Sequence, residues 1–314
     1  MIEVIVAKKQ LEAEGICSFE LAREDGQPLP AFSAGAHIDV HLAGGLTRQY
    51  SLCNSASETH CYQIAVLKEP TSRGGSQQMH EAVQEGQRLS ISAPRNLFEL
   101  DASAEHSLLF AGGIGITPIL CMAERLSHAG ASFTLHYSVR SRDRAAFLVR
   151  LQSSPFADRV HVHFDDEVPL NARTVLANPA AGTHLYVCGP GGYMEYVLSS
   201  GRAEGWPDEL LHREYFSASA EVSAPGEAFE IEIASSGEVM RVEADQTIID
   251  VLYDAGIDVP VSCEQGVCGT CVTRVLDGIP EHRDSFLTDA QRAANDQFTP
   301  CCSRAKSPRL ILDL

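Results

Sequence analysis

The sequence predicts a multidomain chain of α/β plus β class: an antiparallel β domain, then a parallel α/β domain, then a compact cysteine-bearing module. Three observations carry this. Residues 1–100 alternate over short segments such as GAHIDVHLA and CYQIAVLKE, punctuated by Gly, Pro and Ser, the pattern of an antiparallel barrel or sandwich. From about residue 105 the order becomes apolar strand, glycine turn, amphipathic helix, which argues for a parallel sheet. The stretch SASAEVSAPGEA (217–228) has little to pack and reads as a linker before the C-terminal module. The expected domains are 1–100, 101–222 and 226–314.

With 314 residues, each domain can bury its own core without disulfides. The opening MIEVIVAKKQ lacks the charged-then-apolar layout of a signal, and no apolar run approaches the ~20 residues that span a bilayer. A soluble, cytoplasmic protein with no membrane partner is expected. In a reducing compartment its cysteines serve metal or redox chemistry rather than structural bridges. The net charge of −18 argues against nucleic acid, which needs basic patches. Residues 226–314 hold 16 Asp and Glu against 7 Lys and Arg, a net of −9. That excess either serves solubility or steers a basic partner protein.

In RQYSLCN (48–54), strand alternation puts Arg48 and Tyr50 on one face. SRGGSQQMHEAV (72–83) sets Gly74, Gly75 and Ser76 at a helix N-terminus, where an anion can dock. In LLFAGGIGITPIL (108–120) a buried strand runs into Gly112, Gly113 and Gly115, with Thr117 as the expected helix cap and Pro118 in the first turn. The spacing is G-x-G-x-x-P rather than the ordinary G-x-G-x-x-G. LYVCGPGGYM (185–194) ends a second buried strand in glycines on the same sheet edge, so the two turns frame a crevice. Cys188 there faces the crevice or fills the core. SVRSRDRAAF (138–147) places Arg140, Arg142 and Arg144 where a 2′-phosphate could dock. HVH (161–163) alternates like a strand but has no carboxylate at ligand spacing, which favours a packed strand over a metal pair.

Cys263, Cys268 and Cys271 give C-x4-C-x2-C, and Cys301 follows after 29 intervening residues. A zinc site more usually shows two separate C-x2-C hooks, and only one is present here. The spacing is that of plant-type [2Fe–2S] ferredoxins. Gly266 and Gly269 allow the backbone angles that turn N–H groups toward sulfur. Cys302 adjoins Cys301, so one of the two is spare.

Arg-x-Tyr-Ser, a Gly-Gly-Ser helix start, Gly-Gly-Ile-Gly-Ile-Thr-Pro and Cys-Gly-Pro, in that order, resemble the ferredoxin-NADP reductase superfamily over residues 1–216. With the C-terminal cysteine motif, the whole chain resembles the phthalate dioxygenase reductase family. SCEQGVCGTC, HRD (282–284) and CSRAKS are similar to its branch of vanillate O-demethylase reductase components. The resemblance implies an antiparallel β-barrel flavin domain, a parallel α/β nucleotide-binding domain and a C-terminal β-grasp ferredoxin domain. It implies that Arg48 binds flavin phosphate, Tyr50 packs on the ring and Ser51 lies near N5. Val66 and Leu67 would contact the flavin, and Gly74, Gly75, Ser76 and Gln77 would cradle the phosphate of FMN. Thr117 would face the flavin, and Phe216 would cover it. NADH would be held by Gly112, Gly113, Gly115, Ser138, Arg140, Cys188, Gly189 and Pro190. The pattern Cys-x-Ser-Arg-Ala-Lys-Ser, which begins at Cys301, resembles the end of that family's chains and implies Cys301 as the fourth cluster ligand, with Cys302 the alternative.

The implied function is an electron path from NADH through FMN and [2Fe–2S] to a separate Rieske-type aromatic oxygenase, an O-demethylase, with the reductase a monomer. Cofactors carry the redox chemistry, so no acid–base pair is expected. The arginines after residue 139 keep NADPH open. Two rival readings are a reductase serving another oxygenase or free ferredoxin, and an NADH-linked redox sensor.

Overall fold

Alternation in the first hundred residues becomes an antiparallel sheet. In the computed structural model, which describes residues 1–70, 74–216 and 226–314, this sheet comprises β1 (Ile2–Ala13), β2 (Ile16–Ala22), β3 (Ala36–His41), β4 (Thr47–Ser51), β5 (Tyr62–Leu67), β6 (Arg88–Ile91) and β7 (Arg95–Asn96). The order is β4-β3-β6-β1-β2-β5, with β7 on β3, and every pair is antiparallel. Its two ends meet at a bridge between Leu52 and Ile64. One face of the alternation, including Val4, Val6, Phe19, Ile38, Val40 and Ile64, is buried in a common core. A short helix, α1 (Gly75–Glu81), lies between β5 and β6 in the chain.

The strand-turn-helix segments form a second sheet. It contains β8 (His106–Gly112), β9 (Phe133–Val139), β10 (Val160–Phe164), β11 (Thr183–Cys188) and β12 (Leu211–Glu214), ordered β10-β9-β8-β11-β12 and parallel throughout. All six residues of β11 are buried, as a central strand covered on both faces must be. The helices are α2 (Ile116–His128), α3 (Leu148–Gln152), α4 (Ala172–Leu176) and α5 (Gly191–Ala203). Thr117 does not cap α2. The glycines first wind into a 3-10 turn, so Gly115 takes the cap position and Thr117 stands inside the helix, its Oγ1 donating to the Ile114 carbonyl at 3.0 Å. One apolar core joins residues of both sheets, among them Cys53 and Ala65 with Leu109, Ile119 and Tyr137. Both sheets belong to one compact unit, Met1–Glu214.

The second unit, Tyr215–Leu314, holds β13 (Phe229–Ile233), β14 (Val239–Val242), α6 (Ile248–Asp254), β15 (Thr273–Asp277), β16 (Pro280–Glu281), α7 (Asp289–Ala294), β17 (Gln297–Phe298), β18 (Arg304–Ala305) and β19 (Arg309–Leu312). Its main sheet runs β14-β13-β19-β15-β17, and the pairing of β13 with β19 is parallel, so the sheet is mixed. Thr247 and Asp250 form a reciprocal capping box at the start of α6, whose Ile248, Ile249 and Leu252 enter the core beneath the sheet. Of the linker expected at 217–228, residues 217–225 lie outside the described residues. Among the described residues no helix is long and apolar enough to cross a membrane.

Candidate functional site

β4 pairs with β3 so that Val40 faces Arg48 and Ile38 faces Tyr50, which puts Arg48 and Tyr50 on one side of the sheet. Both are half-buried, and burial pushes the Tyr50 hydroxyl pKa upward against the pull of Arg48. The Arg48 side chain lies directly against Gly75: a Cβ there would come within 2.5 Å of Arg48 Cγ and 2.7 Å of Nε. A cation and the first N–H groups of α1 are thereby adjacent, with left-handed Gly74 capping the helix. Ser76 Oγ accepts from the Glu69 N–H at 3.2 Å, and Gln77 donates to Glu81 at 3.0 Å. Val66 is buried on β5 and Leu67 partly so.

The two glycine turns of the parallel sheet pack against each other. A Cβ on Gly115 would run into the Cys188 carbonyl, and one on Gly112 would meet Tyr193 and Pro190. Ser138, at the end of β9, donates to the Tyr193 hydroxyl at 3.4 Å. Gly112, Gly115, Ser138, Cys188, Gly189 and Pro190 are thus gathered at the carboxyl edge, with Gly113 in the same turn. Arg140 is exposed one residue beyond β9.

Glu214 joins the two sheets. It is the β12 partner of Cys188, and it accepts a hydrogen bond from Ser51 Oγ of β4 at 3.3 Å. Its side chain is 13% exposed, and His37 Nδ1 stands 4.0 Å from its other oxygen. Burial raises its pKa from 4.5 to about 8, while the Ser51 hydrogen bond lowers it in part. Burial also raises the Cys188 thiol pKa, with Glu214 adding to the effect. Thr117 is buried in the same unit. Phe216 belongs to the second unit and is exposed.

In the second unit the four predicted cysteines converge. Cys263 is in hydrogen-bond contact with Cys268 and Cys301, and Cys301 also with Cys271. Among the described residues no group of His, Cys, Asp or Glu is arranged around a single metal ion; these thiols touch one another. Gln265 N–H donates to Cys263 Sγ at 3.3 Å and Thr270 N–H to Cys268 Sγ at 3.4 Å. Gly266 and Gly269 have φ of 69° and 68°, and a Cβ on Gly266 would strike Cys302 Sγ. Both positions require glycine, and the loop they shape turns N–H groups onto sulfur, as a four-thiolate iron–sulfur cluster needs. Cys302 touches Cys301, but its sulfur is also engaged by Thr299 Oγ1 at 3.2 Å.

Residues 231–306 match the 2Fe-2S iron-sulfur cluster binding domain family, and residues 91–211 match the N-terminal domain of dimethylamine monooxygenase subunit DmmA-like proteins. Vanillate O-demethylase oxidoreductase of Pseudomonas sp. (strain HR199 / DSM 7063) is 59% identical over 317 residues, covering 100% of both chains. The solved structure of phthalate dioxygenase reductase, described as modular for electron transfer from pyridine nucleotides to [2Fe–2S], superposes with a TM-score of 0.79 at 38% identity, over 100% of this chain and 98% of that one. The chain belongs to the phthalate dioxygenase reductase family. It is an electron-transfer reductase that works with flavin, pyridine nucleotide and a [2Fe–2S] cluster, the last in its C-terminal domain. An intact type IV self-sufficient cytochrome P450 monooxygenase contains the same arrangement: its match covers 99% of this chain and 41% of that one, at 38% identity and a TM-score of 0.85.

For a reductase of this family, sequence reasoning overlooked Glu214, Tyr193 and His37. Each acts through a partner far along the chain, Ser51 and Glu214 being 163 residues apart. The one available signal was that β12 ends in an acid beside the Cys188 turn. HVH lies in β10, where His161 and His163 stack on His136 of β9 with centroids 5.0 and 5.3 Å apart, a packing contact across strands.

Proposed function

We propose that this reductase carries electrons from NADH through FMN and the [2Fe–2S] cluster to a separate Rieske-type oxygenase that O-demethylates an aromatic substrate. One observation carries the reading: buried Glu214 accepts from Ser51, on the Arg48–Tyr50 strand, through its carboxyl and pairs with Cys188, at the glycine turns, through its strand. Two sheets with different ligand chemistry deliver their functional residues to one place, as hydride transfer between bound partners demands. Full-length likeness to vanillate O-demethylase oxidoreductase supports the oxygenase and its substrate class.

In this reading, residues 1–100 form a flavin barrel closed at the Leu52–Ile64 bridge. Residues 101–222 hold the nucleotide, and 226–314 form a β-grasp ferredoxin domain around the parallel β13–β19 pair. Arg48 with Gly74, Gly75, Ser76 and Gln77 holds the FMN phosphate. Tyr50, Ser51, Val66, Leu67 and Thr117 surround the ring. Gly112, Gly113 and Gly115 approach the pyrophosphate, while Ser138, Arg140, Cys188, Gly189 and Pro190 complete the NADH site. Cys263, Cys268, Cys271 and Cys301 ligate the cluster. A flavin held by these residues would supply the conversion of a two-electron hydride into single electrons for the cluster. The chain itself orients these groups and keeps water away. Glu214, with a pKa of about 8, holds its proton at neutral pH beside the Ser51 hydroxyl. The net charge of −18 supports a protein partner over nucleic acid, and the reading takes the chain as a cytoplasmic monomer with no membrane partner.

Cys268→Ser tests the route. Cytochrome c reduction by NADH is expected to disappear while ferricyanide reduction persists; both activities intact would overturn it. Slow, stoichiometric reduction by the wild type would favour a redox sensor. Reconstitution with candidate oxygenases then identifies the partner by turnover.

A further inference from the structure

The loop after β9 carries three cations, Arg140, Arg142 and Arg144, at the place where a dinucleotide-binding sheet discriminates its ligand. With the pyrophosphate at the turn after the first strand of such a sheet, the adenosine ribose lies over the end of the next strand, here β9. NADPH differs from NADH there by a 2′-phosphate dianion. Arginine forks bind that group in bidentate fashion.

Two of the three guanidinium groups are already engaged. Val139, the last residue of β9, pairs with Phe164, the last of β10, and the Asp165 N–H donates to the Val139 carbonyl at 2.9 Å. This register sets the turn after β10 beside the arginine loop. Arg142 donates from Nε to Glu167 Oε1 at 2.9 Å and from Nη2 to Oε2 at 3.2 Å. Both carboxylate oxygens therefore fill the fork as two phosphate oxygens would. The guanidinium is fixed further by stacking 4.4 Å above the Phe164 ring. Arg144 donates to Glu14 at 3.2 Å. Arg140 is exposed and has no carboxylate partner among the described residues. Asp165 and Asp166, beside Glu167 in the turn, and Asp143 in the loop add negative charge that opposes a dianion.

We propose that Glu167 is a specificity-determining residue: its carboxylate occupies the Arg142 fork in place of a 2′-phosphate and biases the reductase toward NADH over NADPH. The proposal rests on the reading of this edge as the pyridine-nucleotide site. Glu167 acts through Arg142 and is a positioning residue.

The test uses full-length holoprotein, with E167Q and the double variant E167Q/R142Q. The readouts are kcat/KM for NADH and NADPH with ferricyanide, and calorimetric binding of adenosine 2′,5′-bisphosphate against adenosine 5′-monophosphate. The Arg142–Glu167 pair is solvent-exposed, so E167Q is expected to raise the NADPH-to-NADH ratio, and the preference for the bisphosphate, by about fivefold. The double variant is expected to return both to the wild-type level. The assignment is overturned if E167Q leaves both ratios unchanged, or if the gain survives loss of Arg142. Wild-type protein that oxidised neither nucleotide would refute the functional reading, and the bisphosphate titration would still decide the role of Glu167.

Discussion

Burial holds the Glu214 carboxyl at about 8, against the pull of the hydrogen bond from Ser51. The unfolded chain ionises this group near 4.5, so the fold retains a proton that the unfolded state releases. Its contribution to stability is full below pH 4.5 and is lost as pH rises through about 8. The sheet histidines act with the opposite sign. Burial lowers His136 to about 3, with His163 and His161 adding to the shift, and burial also lowers His106, His163 and His212. The fold keeps them neutral, so their contribution is present above pH 6.5 and is lost as pH falls below it. Burial raises the Glu124 carboxyl as well, and several histidines against these two carboxyls place the stability optimum of the first unit near neutrality. Each unbalanced proton tilts a limb by about 1.4 kcal/mol per pH unit. Glu214→Gln is expected to flatten the alkaline limb and His136→Phe the acid limb. The chain's single tryptophan, Trp206, is buried in the first unit with its indole N–H on the Leu176 carbonyl at 2.9 Å. Urea midpoints followed by its fluorescence between pH 5 and 9 check both, and parallel limbs in wild type and variants would refute the linkage.

At the scale of elements, the β8–α2 and β11–α5 turns depend on each other. An alanine at 115 must displace the Cys188 carbonyl or its own turn, a strain of about 1–3 kcal/mol. Gly115→Ala is therefore expected to lower the thermal midpoint of the first unit and raise KM for NADH several-fold while flavin content is kept. Unchanged KM would remove this turn from the nucleotide site. These turns were legible in the sequence because strand, glycine and helix signals are local. So was the cysteine loop, whose ligand spacing is a local constraint on chain geometry. Thr117 was misplaced because a cap and a first-turn residue look alike until the glycines are seen to wind into a 3-10 turn. Glu214 was illegible because only burial and its approach to Ser51 distinguish it from other strand-end acids. The arginines after Val139 were visible, but the carboxylate partner of Arg142 is supplied by a turn brought near through strand register and that of Arg144 by the β1–β2 corner.

At the scale of the whole molecule, the chain carries separate cores in its two units. Residues such as Ile38, Leu109 and Tyr137 pack within Met1–Glu214, whereas Phe229, Ile231, Phe298 and Leu310 pack within Tyr215–Leu314. Because each unit has its own core, the two are expected to unfold as separate cooperative transitions. The cysteines are distributed between them accordingly: Cys271, Cys301 and Cys302 are core members of the second unit alone. Ligation of the cluster is therefore folding free energy of that unit, because the unfolded chain offers no preformed site. Removing the iron with a chelator under reducing conditions is expected to lower the calorimetric transition of the second unit. A loss of about 2 kcal/mol moves the midpoint of a domain this size by roughly 10 °C. The transition reported by Trp206 should stay in place, since that residue lies entirely in the first unit, as do Arg48, Ser51 and Glu214. Ferricyanide reduction should survive the treatment and cytochrome c reduction should not, tying the thermal change to the exit of single electrons. A single transition that moved as one body on iron removal would instead show that the two cores melt together, and that the cluster stabilises the first unit as well as its own.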